Sequence, residues 1–190
     1  MKVRTFYDSI KKKCLDLYLP LREVSVDERM VKSMARSHFR QYVRNKLTKW
    51  DFKYWILADP TGYTCDFNLY CGRHRTTPLS EHGLSYDVVM ELLRSFHFQG
   101  YSLFVDNFYT SPAFLHALKE REIGTTGTLR TNSQGIPVSV VQMQKALKRS
   151  DVPQGTGTTH TQMMMCMYVG RTTNVCAYCR TLTQATVMEQ

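Results

Sequence analysis

The sequence contains no apolar run that approaches the roughly 20 residues needed to span a bilayer. Its first residues, MKVRTFYDSIKKK, alternate charged and apolar side chains and lack the unbroken apolar core of a signal peptide. Internal repeats and low-complexity tracts are also absent. We therefore expect an intracellular protein with no membrane partner.

Cysteine is scarce, and its six positions follow no disulfide-rich spacing: Cys14, Cys65, Cys71, Cys166, Cys176 and Cys179. In a chain of this size without a signal peptide, reduced thiols are the expected state. The CAYC spacing suits zinc, but a structural zinc site needs four ligands, and strand geometry would point Cys176 and Cys179 to opposite faces. We therefore expect no zinc. The MMMCM run (residues 163–167) suits copper, but alternating apolar packing in a strand explains it better.

Acidic residues are outnumbered, with 16 Asp and Glu against 25 Lys and Arg, which leaves a net charge of +9. Such a surplus favours a polyanionic partner. With 190 residues, of which 43% are hydrophobic, the chain is long enough to bury the core of one domain.

The positive charge is concentrated in residues 29–53, called here the basic segment. It holds eight Lys and Arg, one acid and several aromatic residues, a mixture that suits phosphates and exposed bases. The alternative is a solvated face without a ligand. The predicted DNA-binding residues are Arg36, Arg40, Arg44, Lys46, Lys49 and Lys53.

Hydrophobic periodicity predicts helices over residues 3–18, 84–96, 111–121 and 139–148. Strands are predicted over 22–30, 52–59, 63–71, 101–106, 123–130, 161–170 and 173–180, and loops over 72–83 and 152–158. A four-residue recurrence of cations from Lys32 to Arg44 would suit one helix face, which leaves residues 31–50 ambiguous. The order predicts an α/β (α+β) fold in which a mixed sheet is flanked by helices.

Two acids stand out by their position on predicted strands. Asp27 lies on the polar face of the first strand, and Asp106 ends a short apolar strand. If the two carboxylates met at roughly 4 Å, they would repel by about 4 kcal/mol at an effective dielectric near 20. Either one carboxyl would take a proton, or divalent cations such as Mg²⁺ would occupy the gap and could support phosphodiester chemistry. The plainer alternative is that Asp106 and Asn107 form a turn and cap.

Five ordered blocks give the chain a family resemblance. These are VSVDERMVK, FRQYVRNKLTKWDFKYWILAD, FVDNFYTSPAFLHALKERE, GTLRTN and VPQGTGT. Together they resemble the piggyBac family of transposases, and more closely the piggyBac transposable element-derived proteins of animals. The resemblance runs from about residue 3 to about residue 179.

The resemblance implies a ribonuclease H-like core that holds Mg²⁺ or Mn²⁺ with three aspartates, two of which match Asp27 and Asp106. The Gly-Gly-Val-Asp block that would carry the third aspartate is absent from these residues, as is the zinc-binding tail. The resemblance also implies extended or looped chain over residues 31–50. We therefore expect a core over residues 1–179, incomplete at its C-terminal end, and an unstructured tail over residues 180–190.

Three functional hypotheses follow from the resemblance. The first is a nuclear, DNA-associating transposase fragment with little or no strand cleavage or transfer activity alone. The second is a domesticated, non-enzymatic module that binds DNA or a chromatin partner, and the third is a decaying transposon copy. Homo-oligomerisation is left open by the sequence.

Overall fold

The computed structural model describes residues 4–42, 50–72, 78–148, 156–162, 165–170 and 175–179. It divides into two compact units, Met1–Ser95 (the first unit) and Phe96–Gln190 (the second unit). The predicted boundary at residue 179 stays a prediction, because residues 180–190 lie outside the described residues. None of the helices in these ranges is long and apolar enough to cross a membrane.

The first unit is an antiparallel sheet with two helices. Its elements are α1 (Arg4–Asp16), β1 (Glu23–Val31), β2 (Arg40–Tyr42), β3 (Trp50–Ala58), β4 (Thr64–Leu69) and α2 (Leu84–Leu92). Strand β3 is central, with β1 along one edge and β2 and β4 sharing the other. The alternation predicted for β1 is confirmed, since Val24 and Val26 are buried while the residues between and beside them are exposed.

Helix α1 covers the free edge of β4. The Tyr7 hydroxyl donates to the Phe67 carbonyl (3.0 Å) and accepts from the Leu69 amide (3.1 Å). The Phe67 carbonyl and the Leu69 amide both belong to an outer strand. The Tyr7 hydroxyl therefore supplies the hydrogen-bond partners that a further strand would otherwise have supplied. The predicted helix is confirmed, but its predicted apolar face is wrong in part: Phe6 and Leu17 are 68% and 78% exposed.

The turn between β3 and β4 anchors the chain that follows α1. Asp59 accepts hydrogen bonds from the Tyr18 hydroxyl (2.6 Å), the Leu21 amide (3.5 Å) and the Thr61 amide (3.0 Å). Burial alone would raise the pKa of Asp59, but a hydrogen bond from the Thr61 hydroxyl together with these three outweighs it and lowers the pKa to about 2. The residues DPTG between the two predicted strands indicate a turn, and the structure confirms both the turn and the hairpin that it joins.

The second unit holds a mixed sheet. Its elements are β5 (Ser102–Val105), α3 (Pro112–Lys119), β6 (Gly124–Leu129), α4 (Val138–Leu147), β7 (Gly157–Gln162), β8 (Met165–Gly170) and β9 (Val175–Cys179). Strands β5 and β6 are parallel and joined through α3, whereas β6 with β9, β9 with β8, and β8 with β7 are antiparallel. The predicted α/β class, a mixed sheet with helices, is therefore confirmed.

The core of the second unit lies where α3 and α4 meet the sheet. One cluster of this core consists of Leu115, Leu129, Val140, Met167, Val169, Val175 and Ala177. Met165 and the buried Met167 lie on alternate positions of β8 and pack on this cluster, which confirms the strand for the described part of MMMCM; residues 163–164 lie outside the described residues. Among described residues, Cys14, Cys65, Cys71, Cys166 and Cys176 are free thiols.

Two expectations need correction in local detail. Residues 157–158 were predicted as loop and residues 161–170 as one strand, but the structure has two antiparallel strands here, β7 and β8; the start of β7 was missed because GTTHTQ contains no apolar residue. Helix α2 begins after Gly83, so Ser85 lies inside the helix and is not its cap. The resemblance was right for residues 32–42, which contain no helix; residues 43–49 lie outside the described residues.

Candidate functional site

Asp27 lies in the middle of β1, opposite Ile56 of β3. Its side chain is exposed, because the strand turns alternate residues outward from the buried Val24 and Val26. One carboxylate oxygen, Oδ1, accepts from the backbone amide of Glu28 (2.7 Å). Asp27 is therefore an accessible carboxylate on a regular strand.

Asp106 is the first residue after β5, and its side chain is also exposed. Its Oδ1 accepts from the Phe108 amide (2.7 Å), and its carbonyl accepts from the Tyr109 and Thr110 amides (3.3 Å each) and from Thr110 Oγ1 (2.7 Å). These bonds form a tight turn that leads into α3; of the two caps that the sequence offers, Thr110 and Ser111, the structure uses Ser111, and Pro112 is the first helical residue. A strand-end turn and an accessible carboxylate therefore coexist at Asp106.

An arginine that the sequence prediction missed lies beside this turn. Arg130 follows β6 directly, and its Nε and guanidinium Nη2 donate to Asn107 Oδ1 at 3.1 and 2.8 Å. The contact arises because β5 and β6 are parallel, so their carboxyl ends lie side by side. Recognising that pairing from the β-α-β pattern would have pointed to Arg130.

Gly127 of β6 makes room for the same turn. A Cβ at this position would lie 2.3 Å from Thr110 Oγ1 and 3.0 Å from Val105 Cγ2. No side chain fits there without displacement of the turn that holds Asp106. The blocks VDNFYTS and GTLR, far apart in the sequence, are thus in direct contact.

The donor set only partly suits the divalent ion that the resemblance implies. Carboxylate oxygens are the ligands that Mg²⁺ prefers, and Asp27 and Asp106 each commit one oxygen to a backbone amide. Across the described ranges, however, no group of three or more His, Cys, Asp or Glu is placed to hold a metal. That the two carboxylates share an ion stays a prediction.

The predicted DNA-binding residues differ in accessibility. Arg36 is exposed, whereas Arg40 is half-buried and donates from Nε to the Trp50 carbonyl (3.1 Å). Lys53 pairs with Glu28 (2.7 Å) and retains 18% side-chain exposure. Arg44, Lys46 and Lys49 lie outside the described residues. DNA contact stays a prediction for all six.

Comparisons with known proteins agree on one family. The family model described as Transposase IS4 matches residues 1–190. The chain is 30% identical over 132 residues to the human PiggyBac transposable element-derived protein 3, which covers 68% of this chain and 22% of the relative. The human Chimeric ERCC6-PGBD3 protein matches with the same identity and length, over 12% of its own chain. The chain thus spans about a fifth or less of the length of these relatives.

A solved structure has the same fold. The cryo-EM structure of the piggyBac transposase synaptic complex with hairpin DNA superimposes with a TM-score of 0.77, at 24% sequence identity. The match covers 93% of this chain and 36% of that one.

Proposed function

Because the chain belongs to the Transposase IS4 family, with piggyBac-type relatives, we propose that it is a transposase-core fragment that associates with DNA and alone neither cleaves nor transfers strands. The observation that carries the proposal is the family match over residues 1–190, together with exposed carboxylates at the two family positions. The fold relative was solved with hairpin DNA, which supports DNA as the partner.

DNA association would use the basic segment. Among its predicted contacts that the structure describes, Arg36 is the exposed one, because Arg40 and Lys53 already bind groups within the first unit. A phosphate contact releases counterions, so binding should weaken steeply as salt rises. The proposal also places the protein in the nucleus, where its partner is found.

Catalysis by this chain alone should be absent or very weak. Asp27 and Asp106 would supply carboxylates to Mg²⁺ or Mn²⁺, but two monodentate ligands hold such an ion loosely. A weakly bound ion also lacks the fixed coordination geometry that strand cleavage requires. We therefore expect no strand cleavage at an ion held by these two residues.

Binding to fluorescent duplexes, measured by anisotropy against salt, tests the DNA proposal. Arg36→Gln should weaken binding to any sequence and reduce the salt slope by about 1. Lys145→Gln, which removes the same charge from the exposed side of α4, is the matched control and should bind as the parent does. Salt-independent binding, or equal losses in both variants, would contradict a role for the basic segment.

Sequence preference separates the transposase fragment from a domesticated module. A fragment that retains end recognition should prefer a transposon-end duplex to a random duplex of equal length, whereas a non-specific DNA-binding module should bind both alike. Incubation of hairpin-end DNA with Mg²⁺ or Mn²⁺ tests catalysis. Cleavage that Asp106→Asn abolishes would overturn the proposed inactivity, since asparagine retains the oxygen that accepts from the Phe108 amide.

A further inference from the structure

We propose that a cleft in the first unit binds an unpaired nucleobase through the indole N–H of Trp55 and the amide NH₂ of Asn68. The base would belong to a DNA strand held by the basic segment, so the inference rests on the proposed function. Beyond the proposed function, the inference adds a base-binding site whose residues are not Asp27 or Asp106. It also names the ligand class, which is a neutral planar ring with carbonyl acceptors.

The cleft is large enough for such a ligand and has aromatic walls. Its volume is about 450 Å³, within the range of small-molecule sites. Its lining includes residues of helices α1 and α2 and of strands β3 and β4. The aromatic lining residues are Tyr7, Phe39, Trp55 and Tyr70.

Two buried donors lie together on this lining. Trp55 of β3 and Asn68 of β4 are directly opposite in the antiparallel register, so their side chains share one face of the sheet. Within the described part of the chain, neither Trp55 Nε1 nor Asn68 Nδ2 has a hydrogen-bond partner, although both atoms are buried. Buried polar groups without partners are rare in folded proteins. Two adjacent ones in a cleft point to acceptors supplied from outside.

Lys11 holds the Asn68 amide in a donating orientation. Its ammonium donates to Asn68 Oδ1 at 2.6 Å, which commits the carbonyl side of the amide to the protein. The amide nitrogen is left as the group available to a ligand. Asn68 therefore acts as a fixed donor beside the indole of Trp55.

Charge balance in the cleft favours a neutral ligand over a phosphate. Its cations are Arg4 and Lys11, and its anions are Asp8 and Glu91. Arg4 Nε lies 3.7 Å from Asp8, and Lys11 Nζ lies 3.3 Å from the buried Asp66. Because both cations are paired, the groups that remain for a ligand are the two neutral donors and the aromatic surface.

The basic segment contributes one residue to the lining of the cleft. Phe39, which lines the cleft, lies three residues after Arg36 and directly before Arg40. A strand whose phosphates contact the basic segment would thus have a base within reach of the cleft. A base carbonyl such as thymine O2 or O4 is the acceptor that both donors require.

Thymidine is the direct probe, because it has the base but no phosphate. In ¹H–¹⁵N spectra of the 190-residue chain, the indole signal of Trp55 and the side-chain amide signals of Asn68 should shift on titration. The backbone amide signal of Val140, which is buried in the second unit, is the internal reference and should stay in place. Deoxyribose alone should shift none of them.

A pair of single strands measures the contribution of the base. An oligothymidylate and an abasic strand of the same length carry the same phosphates, so the basic segment alone would bind them alike. We expect the oligothymidylate to bind roughly fivefold to a hundredfold more tightly. Trp55→Phe and Asn68→Asp each remove one donor and should largely abolish that preference. Gln142→Glu on α4 introduces a like negative charge on the second unit and should retain it.

The outcomes separate this inference from the proposed function. Binding of both strands with no preference, and no shift of the Trp55 indole with thymidine, would overturn the base cleft while leaving DNA association intact. Thymidine shifts without binding to any strand would overturn DNA association and leave the cleft. Thermal unfolding shows whether Trp55→Phe remains folded. If it does not, Asn68→Asp and the thymidine titration still decide.

Discussion

Replacement of Gly127 by alanine should destabilise the second unit and displace the Asp106 turn. The added Cβ would meet Thr110 Oγ1 at 2.3 Å and Val105 Cγ2 at 3.0 Å. Thr110 cannot easily move away, because it is 4% exposed and its hydroxyl donates to the Asp106 carbonyl at 2.7 Å. The added methyl group should therefore displace the backbone of the Asp106 turn.

The magnitude follows from overpacking and from the hydrogen bond at risk. Overpacking a closed site costs typically 1–3 kcal/mol, and loss of the Thr110 bond adds about 1 kcal/mol. We expect the free energy of unfolding to fall by about 2–4 kcal/mol. The sign is informative, because glycine to alanine at an unobstructed strand position is stabilising by about 0.5–1 kcal/mol.

Equilibrium unfolding in urea measures this loss, and a double-mutant cycle assigns it to the contact. Thr110→Ala removes the atoms at 2.3 and 3.1 Å, so Gly127→Ala should cost at least about 1 kcal/mol less in that background. A stable Gly127→Ala protein, or a cost unchanged by Thr110→Ala, would refute the reasoning.

Two further predictions concern the anchors of the fold. The pKa of Asp59 is lowered from 3.8 to about 2, so its contribution to stability is complete above about pH 4 and is lost as the pH falls through 2. Asp59→Asn should be less stable than the parent at pH 7, and the gap in urea unfolding should narrow towards pH 2; a gap that widens with acid would contradict this. Ser111→Ala should lower the free energy of unfolding by about 0.5–2 kcal/mol, because Ser111 Oγ accepts from the Phe114 amide (3.2 Å) at the start of α3. Ser111→Asp, which keeps an acceptor, should recover most of that loss, and an equal loss would argue against the cap.

The periodicity of the sequence was enough to predict most of the helices and strands. Strand β1 follows from the alternation around Val24 and Val26, and α3 follows from Ser111 and Pro112. These elements were predictable because burial period, capping and backbone restriction act between residues close in sequence. The start of strand β7 was missed because its threonines give no hydrophobic period.

The positions of Asp27 and Asp106 on their strands followed from local pattern, but their neighbours did not. Arg130 reaches Asn107 only because β5 and β6 pair in parallel, and Gly127 matters only because Thr110 packs against it. Trp55 and Asn68, whose buried N–H donors have no hydrogen-bond partner among the described residues, lie opposite each other only in the observed register of β3 and β4. A shift of one residue would turn one of the two side chains to the other face.

The sequence by itself determined the composition, the local elements and the family of this protein, because these depend on residue types and on short-range order. Tertiary structure alone decided which distant side chains meet. Paired strands are joined by hydrogen bonds between backbone groups, and nearly every residue carries the same backbone groups. The identity of a residue therefore does not show which residue of another strand it will pair with.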